Sequence, residues 1–199
     1  VFLSIQLANR QTLHSFEESV NLVLGRADAI VHAEGMAFDE KYFQELSRVR
    51  ELVKSYPVIE GYGVELKTGQ VVEILGTDLL QDSGIRDFSI KTLEKGLKGL
   101  LPIIVDPKGI VLPEKFIPGT NFKPGDKINF LINGIEKTFN VNAILENKGL
   151  ARALNGNFAL MDIAAAQWAF GRIGKLDRID IEFKRKENFE SIREKISEV

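Results

Sequence analysis

One dipeptide limits the fold of this chain more than any other feature. Asn133-Gly134 separates Lys127 to Ile132 from Glu136 to Leu145, two runs rich in Ile, Val and Phe. A two-residue type I′ turn needs positive φ at both central positions, and Asn-Gly tolerates that best. The spacing predicts a hairpin in which Ile132 faces Ile135, Phe130 faces Lys137 and Ile128 faces Phe139. Ile128, Phe130, Ile132, Ile135 and Phe139 then share one buried face.

The rest of the chain reads as a mixture around that hairpin. Leu13, Phe16, Val20 and Leu24 recur at helical spacing with Gly25 as a stop, predicting a helix over most of residues 3–24. Asp28 to Ala33 is a short β-like run. Asp39 is placed to cap a second helix whose core stripe is Tyr42, Leu46, Val49 and Val53, ended by Tyr56-Pro57. Val58 to Leu66 and Gln70 to Leu75 are strand candidates that pair across Lys67-Thr68-Gly69. Asp78 to Asp87 reads as a connection, Ile90 to Leu97 as a short helix, and Ile103 to Val105 and Gly109 to Leu112 as strands. Asp162 caps a helix over Ile163 to Phe170 that Gly171 stops, and Gly174 to Asp177 is a turn. Arg178 to Phe183 alternates Ile179, Ile181 and Phe183 inward against Arg178, Asp180 and Glu182, and Asn188 caps a last amphipathic helix. A helix-rich first third, a β-rich middle and a strand–helix return give an α+β fold with an inserted lobe.

Composition removes several classes of function. At 199 residues the chain is one ordinary domain or two small lobes, and 26 Lys+Arg against 28 Asp+Glu leave −2, too balanced for a nucleic-acid surface. Zero Cys removes disulfides, thiolate zinc sites and Cys nucleophiles. No stretch approaches the roughly 20 apolar residues needed to span a bilayer. The apolar start Val1, Phe2, Leu3, Ile5, Leu7 and Ala8, in a chain that does not open on Met, is read either as a helix packing on its own core or as the trimmed end of a membrane helix.

The remaining chemical candidates are few. With two His in the chain, His14 reads as solvent-facing, and His32 with Glu34 supplies two metal ligands where three or four are needed. Asp78 with Asp82 and Asp177 with Asp180 suit turn roles better than acid/base pairs. Gly61-Tyr62-Gly63 has no helix opening after it, which excludes a phosphate cradle. Lys184, Arg185 and Lys186 form a basic cluster suited to solvent or to anionic lipid. Catalytic, cofactor-binding and metal residues are therefore expected to be none.

Several phrases in fixed order resemble a known family: Val72-Glu73-Ile74-Leu75-Gly76-Thr77-Asp78-Leu79-Leu80, then Ile110-Val111-Leu112, then Phe122-Lys123-Pro124-Gly125-Asp126-Lys127-Ile128. They continue with Phe139 to Leu145, Ala159-Leu160-Met161-Asp162-Ile163-Ala164-Ala165-Ala166-Gln167, and Gly174-Lys175-Leu176-Asp177-Arg178-Ile179-Asp180. Over nearly the whole chain this order is similar to the extracytoplasmic core domain of FtsX-like ABC-transporter permeases, the group that includes MacB, LolC and LolE. Where that family continues Val111-Leu112 into a short helix, this chain has Pro113 and Ile117-Pro118-Gly119, so a shortened helix or a loop is expected.

The resemblance implies two lobes: a porter-like mixed α/β lobe from residues 1–78 plus 175–199, and an inserted β-rich sabre-like lobe from 79–174. Both chain ends would enter the inner membrane from the same side, leaving this domain extracytoplasmic. It implies a cytoplasmic ATP-binding subunit and a second permease copy or sister subunit as partners, with lipoprotein, lipid, peptide or drug as cargo. It implies no enzyme activity and no cofactor in this chain. Contact surfaces would fall on Leu79 to Phe88 and on the Pro113 to Phe122 loop. The competing readings are an untethered periplasmic binding module or chaperone, and a small hydrolase, for which neither His has an assignable Ser or Asp partner.

Overall fold

The computed structural model describes residues 27–33, 37–46, 48, 52–82, 90–91, 97–116, 120–148, 151 and 156–183. In chain order the elements are β1 (Ala29–His32), β2 (Phe38–Asp39), α1 (Lys41–Leu46), β3 (Leu52–Glu65), β4 (Val71–Thr77) and α2 (Leu79–Asp82). They continue with β5 (Ile90–Lys91), α3 (Leu97–Ile104), β6 (Gly109–Pro113), β7 (Lys127–Ile132), β8 (Ile135–Leu145), β9 (Phe158–Asp162), α4 (Ile163–Phe170), β10 (Lys175–Leu176) and β11 (Arg178–Phe183). The fold is α+β.

The main sheet runs β1-β11-β3-β4-β9-β6-β8-β5, and β7 pairs with both β3 and β8. Those pairings close a ring of six strands, β3-β4-β9-β6-β8-β7. Closure leaves no free edge among the ring strands, and β11 and β1 extend the sheet from the first half of β3. β3 is thus shared. Leu52 to Val58 pair with β11, Val58 to Val64 with β4, and Val64 and Glu65 with β7.

Alternation along the strands builds two cores. Val72, Ile74, Ile110, Ile128, Phe130, Phe139, Val141 and Met161 belong to the larger, and Leu75, Leu79, Ile103, Val111, Phe158 and Leu160 to the smaller. β6, buried at every position, contributes to both, as a strand covered on both faces must. A bulge then changes which core β8 serves. Ile110 pairs with Val141 but Val111 with Ala143, so the extra residue transfers the next buried side chains, Ala143 and Leu145, to the smaller core.

α4 packs against β3 and β4 where two strand glycines admit it. A Cβ on Gly76 would lie 2.1 Å from the Ala166 Cβ, and one on Gly61 would lie 2.2 Å from Phe170 Cε1. The helix starts as the sequence predicts: Asp162 Oδ1 accepts the Ala164 N–H at 3.1 Å, and Gly171 ends it at φ 66°. At that end Lys137 donates to the carbonyls of Trp168 (3.1 Å) and Ala169 (2.8 Å), and Asn133 Nδ2 donates to Phe170 O (3.3 Å). The hairpin turn therefore also caps the helix.

The hairpin has its predicted register, with Asn133 at φ 50° and Gly134 at φ 77°. Its face differs at one position: Ile135 is 60% exposed, because the tip projects past the strands that cover Ile132. Five other expectations are corrected: Lys175 and Leu176 of the expected turn pair with β2, and Leu79 to Asp82 of the expected connection form α2. The second helix stops at Leu46, and Leu52 onwards is strand, since the β-branched and aromatic residues of that stretch find a partner in β11. Ile103 and Ile104 end α3 instead of forming a strand; Val105 N–H bonds to Leu101 O, and Ile103 is buried in the smaller core, with Pro102 inside the helix. Ile90 and Lys91 pair with β8 instead of opening a helix. The helices expected over residues 3–24 and from Asn188 lie outside the described residues.

Candidate functional site

The junction where β11 and β4 both leave Val58 carries a charged cleft. Its volume is about 770 Å3, and its lining includes Ile30, His32, Ala37, Glu60, Arg172 and Arg178. Cross-strand pairing places His32 opposite Arg178 and Ile30 opposite Asp180. The tight turn after α4 carries Arg172 back over β3, where its guanidinium donates to Glu60 O at 2.9 Å and pairs with Asp177. Asp177 in turn accepts the Glu60 N–H at 2.7 Å. Arg178 pairs with the Glu60 carboxylate and, through Nε at 2.8 Å, with Asp180.

Asp180 is fully buried, so the expected outward position is corrected: beside Arg178 it becomes one half of a buried ion pair. Burial pushes the Glu60 carboxyl above its ordinary range although Arg178 lies against it. The cluster joins β3, β11 and the α4–β10 turn. Its chemistry is positional, because each guanidinium is engaged by carboxylates and carbonyls of the fold.

The same junction sets where the chain leaves the described structure. Asp28 N–H donates to Ile181 O at 2.8 Å, and Phe183 N–H donates to Asp28 Oδ2 at 2.7 Å. Phe183 pairs with Leu52, the first residue of β3. The strands leading to residues 1–26 and to residues 184–199 thus lie side by side at one end of the longest strand.

The other singled-out residues have structural roles. Asp78 Oδ1 accepts the Leu80 (3.1 Å) and Gln81 (3.2 Å) N–H groups of α2. Gly125 sits at φ 98° and Asp126 Oδ2 accepts the Lys123 N–H at 2.8 Å, a turn entering β7. Gly61 and Gly63 face the larger core inside β3. His32 is exposed on β1, while His14, Glu34 and Lys184 to Lys186 lie outside the described residues, as do 83–88 and 117–119 of the two expected contact segments. Pro113 ends β6, and Phe116 N–H bonds back to Pro113 O at 2.9 Å, so a turn begins where the family helix would. Among the described residues no three His, Cys, Asp or Glu side chains converge to hold a metal. Sequence reasoning missed Glu60 and Arg172: the partners of Glu60, Arg172 among them, lie 112 to 118 residues away in the chain.

By fold this chain is of the kind found in extracytoplasmic domains of ABC-transporter permeases. It matches the periplasmic region of MacB from Actinobacillus actinomycetemcomitans with a TM-score of 0.59 at 11% identity, over 85% of this chain and 79% of that one. It matches the extracellular domain of the noncanonic ABC-type transporter YknZ from Gram-positive bacteria with a TM-score of 0.55 at 11% identity, over 83% and 86%. A domain of a permease protein from Porphyromonas gingivalis gives 0.52 at 11% identity, over 84% and 69%. No protein-family model matches the chain. No curated protein matches it either.

Proposed function

We propose that the chain is the extracytoplasmic domain of an ABC-transporter permease, a moving part that couples ATP-driven rearrangement of membrane helices to export or release of a substrate outside the inner membrane. The observation that carries this reading is the hydrogen-bonded adjacency of Asp28 and Phe183 at one end of β3. A domain held at both ends by one membrane needs its two connections to emerge together. The ion pairs of Glu60, Arg172, Asp177 and Arg178 support it as well, because they stiffen the path from those connections into the ring.

In this reading residues 1–78 with 175–199 form the porter-like part and 79–174 the inserted sabre-like part. They share one sheet through β3 with β7 and β4 with β9. An ATP-binding subunit acts from the cytoplasm, and a second permease copy or sister subunit completes the transporter. The cargo, whether lipoprotein, lipid, peptide or drug, is contacted by shape and surface, without bond chemistry in this chain.

The test is the mass and partitioning of the native polypeptide, detected with antibodies to this chain. A membrane-fraction band far above 22.3 kDa, cut by protease added outside the inner membrane, is the expected result. A free band near 22 kDa would replace this reading with an untethered binding module.

A further inference from the structure

The Asn133-Gly134 turn carries reactive chemistry besides its turn geometry. An asparagine amide can be attacked by the main-chain nitrogen of the next residue, and the attack is least hindered when that residue is glycine, with no side chain to shield its nitrogen. The chain holds two such pairs, Asn133-Gly134 and Asn155-Gly156. Their glycines stand in opposite surroundings. At the hairpin tip Asn133 and Gly134 are both exposed, and a Cβ on Gly134 would meet nothing within 4 Å. Among the described residues no acceptor takes the Gly134 N–H, and the Asn133 side chain has one partner, Phe170 O, which Nδ2 reaches at 3.3 Å. Gly156 is buried instead. Its N–H donates to Ala151 O at 2.9 Å, and a Cβ on it would lie 2.5 Å from Lys115 O. A buried nitrogen already bonded to a carbonyl must lose that bond before it can react.

We propose that Asn133 is a site of spontaneous deamidation, with water as co-reactant, and that the modification releases the hairpin tip from α4. Once the side chain leaves Phe170 O, the Gly134 nitrogen gives its proton to solvent base and bonds to Asn133 Cγ. The Cγ–Nδ2 bond breaks and ammonia departs, leaving a five-membered imide. Water opens the imide at one of its two carbonyls, to aspartate or to isoaspartate, in which the main chain runs through Cγ. The sum is amide and water to carboxylate and ammonium, with nothing oxidised or reduced. Either product replaces the donor that faces Phe170 O with a carboxylate, which only accepts, at the negative end of the α4 dipole. Isoaspartate also lengthens a two-residue turn whose φ values are 50° and 77°. Asn155 stays intact for as long as the fold holds the Gly156 nitrogen. The proposal depends on these two turns alone and does not rest on the permease reading.

The experiment follows the native protein over time at mildly alkaline pH, folded and in urea. Peptide mapping by mass spectrometry reads conversion at each asparagine, and isoaspartyl methyltransferase labelling counts isoaspartate. In the folded protein Asn133 should convert roughly 10-fold faster than Asn155 or more, since Gly156 reacts only through local unfolding. In urea, where neither nitrogen keeps a fixed partner, the two rates should converge. Equal rates in the folded protein, a faster Asn155, or an Asn133 that stays intact while the urea sample converts overturns the site. Asn133→Asp tests the consequence: hydrogen exchange over residues 163–171 should be faster than in the wild type. Unchanged exchange there overturns the release of α4.

Discussion

At the residue scale the junction cluster and the glycines under α4 bear most of the structural consequence. Asp180 is buried against Arg178, so Arg178→Met removes the guanidinium that faces a buried carboxylate and should cost about 3–5 kcal/mol in urea unfolding. Gly76→Ala drives a methyl into Ala166 and should cost about 1–3 kcal/mol. Adding Ala166→Gly should recover part of that loss despite its helix-propensity cost of about 1 kcal/mol; a double variant less stable than Gly76→Ala alone would rule out the steric account. Gly61 was visible in the sequence as an interruption between strand residues, and Gly76 as the residue after the expected strand Gln70 to Leu75. Their purpose was not, because the helix residues that need them, Ala166 for Gly76 and Phe170 for Gly61, lie about 90 and 110 residues further on.

The same scale sets a pH dependence. Burial raises Glu60, and burial with Asp78 nearby raises Asp162 against the Ala164 N–H that it caps. A carboxyl raised above its unfolded value binds its proton more tightly when folded. Stability from these two groups is therefore full below the ordinary carboxyl range and falls as pH rises through their folded values. Asp106 goes the other way: burial opposes its charge, but hydrogen bonds from Asn140, the Lys108 N–H and Asn142 outweigh it and lower the group. Its contribution is lost only as pH falls below the ordinary aspartate range. Acidifying from pH 7 toward 5 should stabilise the wild type, and Glu60→Gln/Asp162→Asn should flatten that slope; an unchanged slope in thermal melts would exclude these groups as its source.

At the element scale the hairpin and α4 hold each other. Lys137 caps two helix carbonyls and lies 4.6 Å from the centre of the Trp168 ring, the one tryptophan of the chain. Lys137→Met should cost about 1 kcal/mol through the lost hydrogen bonds and shift tryptophan emission, whereas an unshifted spectrum would show that Lys137 does not hold the ring. Gly134→Ala should cost about 1–2 kcal/mol, since Gly134 sits at positive φ. Local chemistry made this hairpin and the capped helix 163–170 legible, because Asn-Gly, Asp162 and Gly171 act within a few residues. The stretch 52–57 was misread for the opposite reason: its strand state depends on β11, more than a hundred residues later. Ile103 was misread because a buried apolar run with a proline looks alike as strand or helix end.

At the scale of the whole molecule, closure of six strands into a ring and the side-by-side exit of its two connections were beyond local patterns. The family likeness, read from short phrases such as Gly174 to Asp180, anticipated the element order without the pairings. Those pairings give the domain a near end, at Leu52, Asp28 and Phe183, and a far end, at the Lys67-Thr68-Gly69 turn. In the proposed permease the near end would be attached to the membrane and the far turn would stand outside it. Because the chain has no cysteine, Lys67→Cys gives this chain a single reactive thiol. The decisive measurement is its labelling, in the native full-length protein with any other cysteines replaced, by a membrane-impermeant maleimide in intact spheroplasts. The account predicts complete labelling without lysis; a thiol that reacts only after the inner membrane is broken would contradict it.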